Sequence, residues 1–157
     1  MGTETMTPLE DLVPSSKSYF TSIVQPAIER AISSPENGSQ ALAAIILLYH
    51  IKDWAKCEGF IQSEQEVLNE CPFAGIIGSL ANGGKHSTIS NKRWVNPPYI
   101  LGFRVCGFGQ GGYGVGPYGR SNIQVKGLRT RDEPPRWHSL KSVLTQARDW
   151  WAIKLEV

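Results

Sequence analysis

The sequence predicts an α+β domain: a bundle of about four helices with a β-hairpin inserted before a C-terminal helix. Three features of the chain predict it. Apolar residues recur at the helical spacing from residue 15 to about 90, alternate between 100 and 128, and return to the helical spacing after 139. At 157 residues without an internal repeat, one domain over 15–157 is expected. It has helices over 15–90, a β-hairpin over 94–130 and a closing helix over 139–154, behind a loose polar arm, 1–14, that carries Pro8 and Pro14.

Each element has its own local reason. Tyr19, Phe20, Ile23, Val24, Ala27, Ile28 and Ala31 fall on one helical face, and Pro26 inside that face should kink the helix by removing a hydrogen bond. "SSPENGS" (33–39) reads as a turn, with Ser39 able to cap a second helix over about 40–57. The second helix is apolar on every side for its first three turns, which places it at the centre of a bundle or in a dimer interface. Ser63 and Glu66 make a capping box for a short third helix carrying Val67 and Leu68. "CPFAGIIGSLANGGKH" (71–86) reads as a fourth helix, with Pro72 in its first turn and Phe73, Ile76, Ile77, Leu80 and Ala81 as its buried stripe.

After Asn91 the period changes. In "YILGFRVCGFG" Leu101, Phe103 and Val105 share one face of a strand, and "SNIQVKGL" (121–128) is its partner. "RDEPP" then turns the chain, and Ser139 caps a last helix that points Leu140, Val143, Leu144, Ala147, Trp150 and Trp151 at the core.

Composition narrows the function classes. A net charge of +2 does not by itself announce a nucleic-acid partner. Cys57, Cys71 and Cys106 are odd in number and widely spaced, which points to a reducing compartment and to buried thiols rather than a disulfide framework. "MGTETMTPLEDL" lacks the basic flank and apolar core of a signal peptide, and Met6 stands where a myristoylation signal carries Ser or Thr. The longest apolar run, 41–51, is about half the roughly 20 residues of a bilayer span. A cytoplasmic protein with no membrane partner is expected.

Several motifs fail on context. Gly107, Gly109 and Gly112 spell G-x-G-x-x-G, but a strand follows where a dinucleotide site needs a helix N-terminus, so no nucleotide cofactor is expected. The run 107–119 reads instead as a flexible hairpin loop. Its Phe108, Tyr113 and Tyr118, with Arg104 and Arg120 beside it, could also stack bases or clamp a ligand. His50, His86, His138 and the cysteines have no zinc-ligand spacing, so no metal is expected. Walker, G-x-S-x-G and H-E-x-x-H patterns are missing from the sequence.

Two polar groups remain. "YHIKDW" (49–54) sets His50, Asp53 and Trp54 on adjoining parts of one helix face. An Asp within reach of an imidazole fixes its tautomer and raises its basicity, which suits a general base; the same pair could equally satisfy itself at the bundle's end. In "LANGGKH" (80–86), Asn82 and His86 lie one helical turn apart, as do Ala81 and Lys85. Gly83 and Gly84 between them each cost up to about 1 kcal/mol in a helix, so they mark a close approach, room for a ligand, or a helix end where Lys85 and His86 meet the dipole.

The run Ala81-Asn82-Gly83-Gly84-Lys85-His86 resembles the signature of the HEPN superfamily, small helical bundles that include many metal-independent ribonucleases of toxin and phage-defence systems. That signature is R-x4–6-H on a late helix, commonly beginning Arg-Asn. Asn82 and His86 match it; Ala81 stands in place of the Arg. More broadly, the order HxxDW, ANGGKH, glycine-rich hairpin and Trp-bearing last helix over about 40–155 is similar to a group of small uncharacterised bacterial proteins.

The HEPN resemblance implies RNA cleavage without metal or cofactor, or RNA binding if the site is degenerate. His86 would be the base, Asn82 would orient the phosphate or the nucleobase, and Lys85 would supply the charge the missing Arg removes. Lysine does that less well, as a point charge without a planar fork. His50 and Asp53 would support from the neighbouring helix. The resemblance also implies a homodimer, placed here through helix 40–51. The alternative is a non-enzymatic module that binds a partner protein or small ligand at the same polar patch. A nucleic-acid binder without catalysis would draw on Lys85, Lys92, Arg93, Arg104, Arg120 and Lys126.

Overall fold

The computed structural model describes residues 13–35, 37–86, 100–106 and 122–157, with backbone alone for 84–86, 100–106 and 122. Most of the arm 1–14, the glycine-rich run 107–119, Lys92, Arg93 and Arg120 lie outside those residues. The chain is α+β, mainly helical, with a small antiparallel sheet before the last helix.

α1 (Ser16–Tyr19) opens where Ser15 Oγ accepts the Ser18 N–H at 3.1 Å. It runs through a π-helical turn (Phe20–Val24) into α2 (Gln25–Ser33). Pro26 explains that turn. It cannot donate to the Ser22 carbonyl and its ring crowds that oxygen, so the helix widens one turn earlier and Gln25 N–H reaches back to the Phe20 carbonyl. The expected kink is therefore met by a π-helical turn that keeps Phe20, Val24, Ala27 and Ile28 buried.

α3 (Gly38–Cys57) is the central helix, packed by α2, α5 (Ala74–His86) and α6 (Leu140–Leu155). Its cap is Asn37, whose Oδ1 accepts the Gln40 N–H at 3.1 Å and the Ser39 hydroxyl at 2.7 Å. Ser39 thus supports the cap rather than forming it. Ala41, Ala44, Ile45, Leu48, Ile51 and Ala55 are buried, while Ile46 and Leu47 are half-buried. α4 (Glu64–Glu70) is held by Ser63 Oγ on the Glu66 N–H at 3.3 Å, and the Glu66 carboxylate reaches past Ser63 to the Gln62 N–H at 2.7 Å.

α5 begins after Pro72, not on it. Phe73 sits in the left-handed region (φ 63°), strained for a residue with a side chain, and its ring is 1% exposed. Its N–H donates to the Arg129 carbonyl at 2.9 Å, which ties the start of α5 to the chain leaving the sheet. From Ala74 to Ser79 the helix is buried on all sides, Leu80 is half-buried and Ala81 is 0% exposed. The buried part is wider than the single stripe the spacing predicts.

The sheet has the order β1-β2-β3: β1 (Ile100–Cys106), β2 (Asn122–Gly127) and β3 (Arg136–Ser139). β1 and β2 are the expected antiparallel pair, with Phe103 opposite Val125 and Val105 opposite Ile123. The register shifts between Ile100 and Gly102, so Leu101 leaves the alternation. β3 is not expected from the sequence; it extends the hairpin to three strands, with Val125 opposite His138 and Lys126 opposite Trp137. Val125 and Ile123 are buried toward the helices, and the Lys126–Trp137 row lies on the opposite face, where Gln124 is buried as well. Ser139 ends β3 and caps α6 through Ser142 N–H at 3.1 Å. Leu140, Val143, Leu144, Ala147 and Trp151 enter the core and Trp150 is half-buried. No helix among the described residues is long and apolar enough to cross a membrane.

Ile51, 0% exposed on α3, and Ile153, 80% exposed on α6, give a direct contrast. Ile51→Ala should cost about 2–5 kcal/mol in urea denaturation. Ile153→Ala should stay within about 0.5 kcal/mol.

Candidate functional site

The polar end of α5 answers one question the sequence leaves open. The helix continues through Gly83 and Gly84 to His86, so Asn82 and His86 stand one turn apart on a continuous helix. Asn82 is half-buried, and its Nδ2 is buried without a hydrogen-bond partner among the described residues. A buried amide donor left unmade costs about 1–3 kcal/mol, a debt that a bound acceptor would cancel. Ala81, the position that the resemblance gives to Arg, is sealed in the hydrophobic core. Lys85 follows Ala81 by one turn; the side chains of Lys85 and His86 lie outside the described atoms.

The second polar group lies along α3. His50 Nδ1 meets Asp53 Oδ2 at 3.0 Å, with the two side chains 34% and 57% exposed. A carboxylate at Nδ1 holds the proton there and turns the basic lone pair to Nε2. Asp53 also faces Lys52 Nζ at 4.0 Å, and Lys52 Nζ pairs with Glu64 Oε1 at 2.9 Å and lies 4.2 Å from the centre of the Tyr49 ring. Burial alone would lower the Lys52 pKa. The Glu64 hydrogen bond, the Tyr49 contact and the Glu64 charge outweigh it, so the ammonium titrates above its ordinary value of 10.5. Tyr19, stacked on Trp54 at 5.1 Å, is pushed up first by burial and then by the Asp53 charge.

The buried Lys52 was legible only as a polar residue in the second half of an apolar helix. Its partner Glu64 is separated from it by the α3–α4 turn, and no local spacing reveals that pair.

Tyr49 and Lys52 also line a cleft of about 20 Å3, room for about one water, with Leu48, Val67, Cys71, Ala74, Ile77 and Trp151. Burial pushes the Cys71 thiol up, so it is protonated and unreactive there. Cys57 is exposed, contrary to the expectation that all three cysteines are buried. Among the described residues no group of three or more His, Cys, Asp or Glu gathers as a metal site requires.

Arg104 stands opposite Gln124 in the β1–β2 ladder. Lys92, Arg93, Tyr113, Tyr118 and Arg120 lie outside the described residues. His138, which in the sequence is a zinc candidate without ligand spacing and the end of an Arg131–His138 match broken by Pro134 and Pro135, lies on β3. Its ring meets Phe73 edge-on at 4.7 Å and its Nε2 is buried without a partner among the described residues. Burial holds its pKa below 6.5, with Arg129 and Arg136 adding to the effect and the Gly127 backbone and Glu133 opposing it. No family model, curated protein or solved structure matches this chain.

The lowered His138 pKa sets a direction for acid stability. Above about pH 6.5 both folded and unfolded His138 are neutral; below it the unfolded chain takes up a proton that the folded ring resists. Stability should therefore fall as pH drops from 6.5 through the folded-state pKa. The difference between wild type and His138→Gln in urea midpoints from about pH 8 to about pH 5 isolates that slope. Parallel curves would show that His138 does not supply it.

Proposed function

We propose that this protein is a degenerate HEPN-like bundle that binds RNA at the polar end of α5 and does not cleave it. The observation that carries the reading is the Asn82 amide, buried and without an acceptor among the described residues one turn before His86. A phosphate oxygen or a base carbonyl is the acceptor it would take, with Lys85 and His86 adding positive charge and a second polar contact. Ala81 in the core favours binding over catalysis. The transition-state charge of a metal-free ribonuclease needs a fixed cation, and the position the family uses for it is closed here.

In this reading the protein is cytoplasmic and belongs to a bacterial defence or toxin–antitoxin type system. It pairs with a second copy through residues 40–51, where Ile46 and Leu47 are only half-buried. His50 and Asp53 form a second polar pair, 3.0 Å apart on α3, in a supporting role.

Asn82→Leu separates function from structure. It removes a buried unpaired amide, so thermal stability should hold or rise. Affinity for a single-stranded RNA pool, measured by fluorescence anisotropy in excess EDTA, should fall about tenfold. The same incubations should leave the RNA intact. Products with 2′,3′-cyclic ends, abolished by His86→Ala, would replace binding with catalysis. A loss of stability with unchanged RNA affinity would make Asn82 a structural residue.

A further inference from the structure

We propose that His138 and Phe73 form a proton-sensitive latch on the start of α5: with the His138 ring neutral, Phe73 is held against the Arg129 carbonyl, and a second proton on the ring loosens that hold. The packing of three residues carries this. Phe73 keeps its left-handed backbone (φ 63°) through a ring that is 1% exposed and a hydrogen bond from its N–H to the Arg129 carbonyl at 2.9 Å. Such strain persists only where the surroundings over-determine it. The His138 ring is part of those surroundings, 4.7 Å from the Phe73 ring and inclined to it at 68°. β3 brings it there by pairing His138 with Val125, in the row buried toward the helices. The Arg129 side is braced from two directions. Its guanidinium donates to Gln146 of α6 at 3.0 Å and to Glu133 at 2.8 Å, and Gln146 donates in turn to Ser142 Oγ at 2.9 Å. The part left to move is Phe73 with the first turn of α5.

A second proton finds no acceptor in this packing. The ring hydrogen-bonds the Gly127 backbone, and Nε2 has no partner among the described residues, so that bond falls to Nδ1 and the neutral ring carries its one proton there. The next proton goes to Nε2 and turns a buried lone pair into a buried, charged N–H that nothing accepts. The charges around the ring are Arg129 and Glu133 of the turn after β2 and Arg136 of β3. Arg129 also lies 5.9 Å from the centre of the Phe73 ring, so a second cation at that ring meets a like charge. Glu133 favours the proton but is already accepting from Arg129. No counter-charge comes from the helices or from β2: the described side chains of α5, 74–83, carry none, the α6 group in the cluster is the neutral Gln146, and Lys126 stands on the opposite face of the sheet. Burial first, and then Arg129 and Arg136, hold the folded ring below its ordinary 6.5. A ring released into water takes the proton at about 6.5. Acid therefore draws the ring out of its packing, and Phe73 loses a contact that keeps its φ positive and its N–H on the Arg129 carbonyl. α5 is one continuous helix from Ala74 to His86, so the latch sets how firmly its polar end is mounted.

The latch goes beyond the RNA reading and stands without it, so its test uses the full chain alone. Native-state amide exchange is followed by NMR from about pH 7.5 to about pH 5 and expressed as protection, which divides out the intrinsic pH dependence of exchange. The Phe73 amide, which donates to the Arg129 carbonyl, and the Ile77 amide, which donates to the Phe73 carbonyl, report the latch. The amide of Ile51, buried in α3, reports global unfolding. In wild type the protection of Phe73 and Ile77 should fall by as much as about 30-fold at pH 5 beyond any fall at Ile51, the ceiling set by an open-state pKa of about 6.5. In His138→Gln that extra fall should vanish. The imidazole nitrogen shifts of wild type serve even where the variant folds poorly: at about pH 7.5 they should show the His138 proton on Nδ1 and a bare Nε2. A proton on Nε2 at neutral pH overturns the latch. So does Phe73 protection that holds down to pH 5, falls only in step with Ile51, or falls equally in His138→Gln.

Discussion

The close packing of α5 between α3 and the sheet is the constraint on which the rest of the structure depends. Six consecutive residues of α5, Ala74–Ser79, are buried on all sides, which a surface helix never shows. Only a helix made of small and apolar residues can be enclosed in this way, and Ala-Gly-Ile-Ile-Gly-Ser is such a sequence. The enclosure has to be entered at an angle. Phe73 supplies the angle by taking a left-handed conformation that an ordinary residue avoids. Its buried ring and its hydrogen bond to the Arg129 carbonyl hold that conformation. The strain and the anchor belong together: without the Arg129 contact the helix would lose both its start and its tie to the sheet.

That enclosure also decides the chemistry at the other end of α5. Because the helix leaves the core only after Ala81, the first polar side chain it presents is Asn82, still half-buried and with an amide that no acceptor among the described residues meets. The same geometry closes position 81 to any long side chain, so charge can reach this end only from beyond it. A polar group that is partly desolvated but unsatisfied is costly to the fold, and such costs are kept where a ligand repays them. The His50–Asp53 pair contrasts with it: both side chains face solvent and satisfy each other, so the fold carries no comparable debt there.

Much of the helical framework is legible in the sequence because its signals are local. Ser63 and Ser139 cap the helices they precede, and the apolar spacing of α6 puts Leu140, Val143, Leu144, Ala147 and Trp151 in the core. Asn37 displaces Ser39 as a cap because either side chain could serve and only the backbone angle at 37 selects between them. Pro26 signals a defect but not its form, since a kink and a π-helical turn both relieve the missing donor. β3 is illegible because Arg136-Trp137-His138-Ser139 has no alternation and follows two prolines; the β2 ladder makes it a strand. At the candidate site, Asn82 and His86 can be read from their spacing. The orphaned amide, the closure around Ala81 and the Phe73–His138 contact depend on contacts between distant parts of the chain, which a single sequence does not reveal.

The central claim is that the Asn82 amide donates to an RNA oxygen, and the most direct measurement observes that amide itself. The side-chain NH2 resonances of Asn82, assigned by comparison with Asn82→Leu, can be followed by NMR in EDTA as single-stranded RNA is added. The account predicts that they shift and saturate with the RNA, while those of Gln65 and Asn69, which bond each other on α4, do not move. RNA that saturates the protein without moving the Asn82 resonances would contradict it.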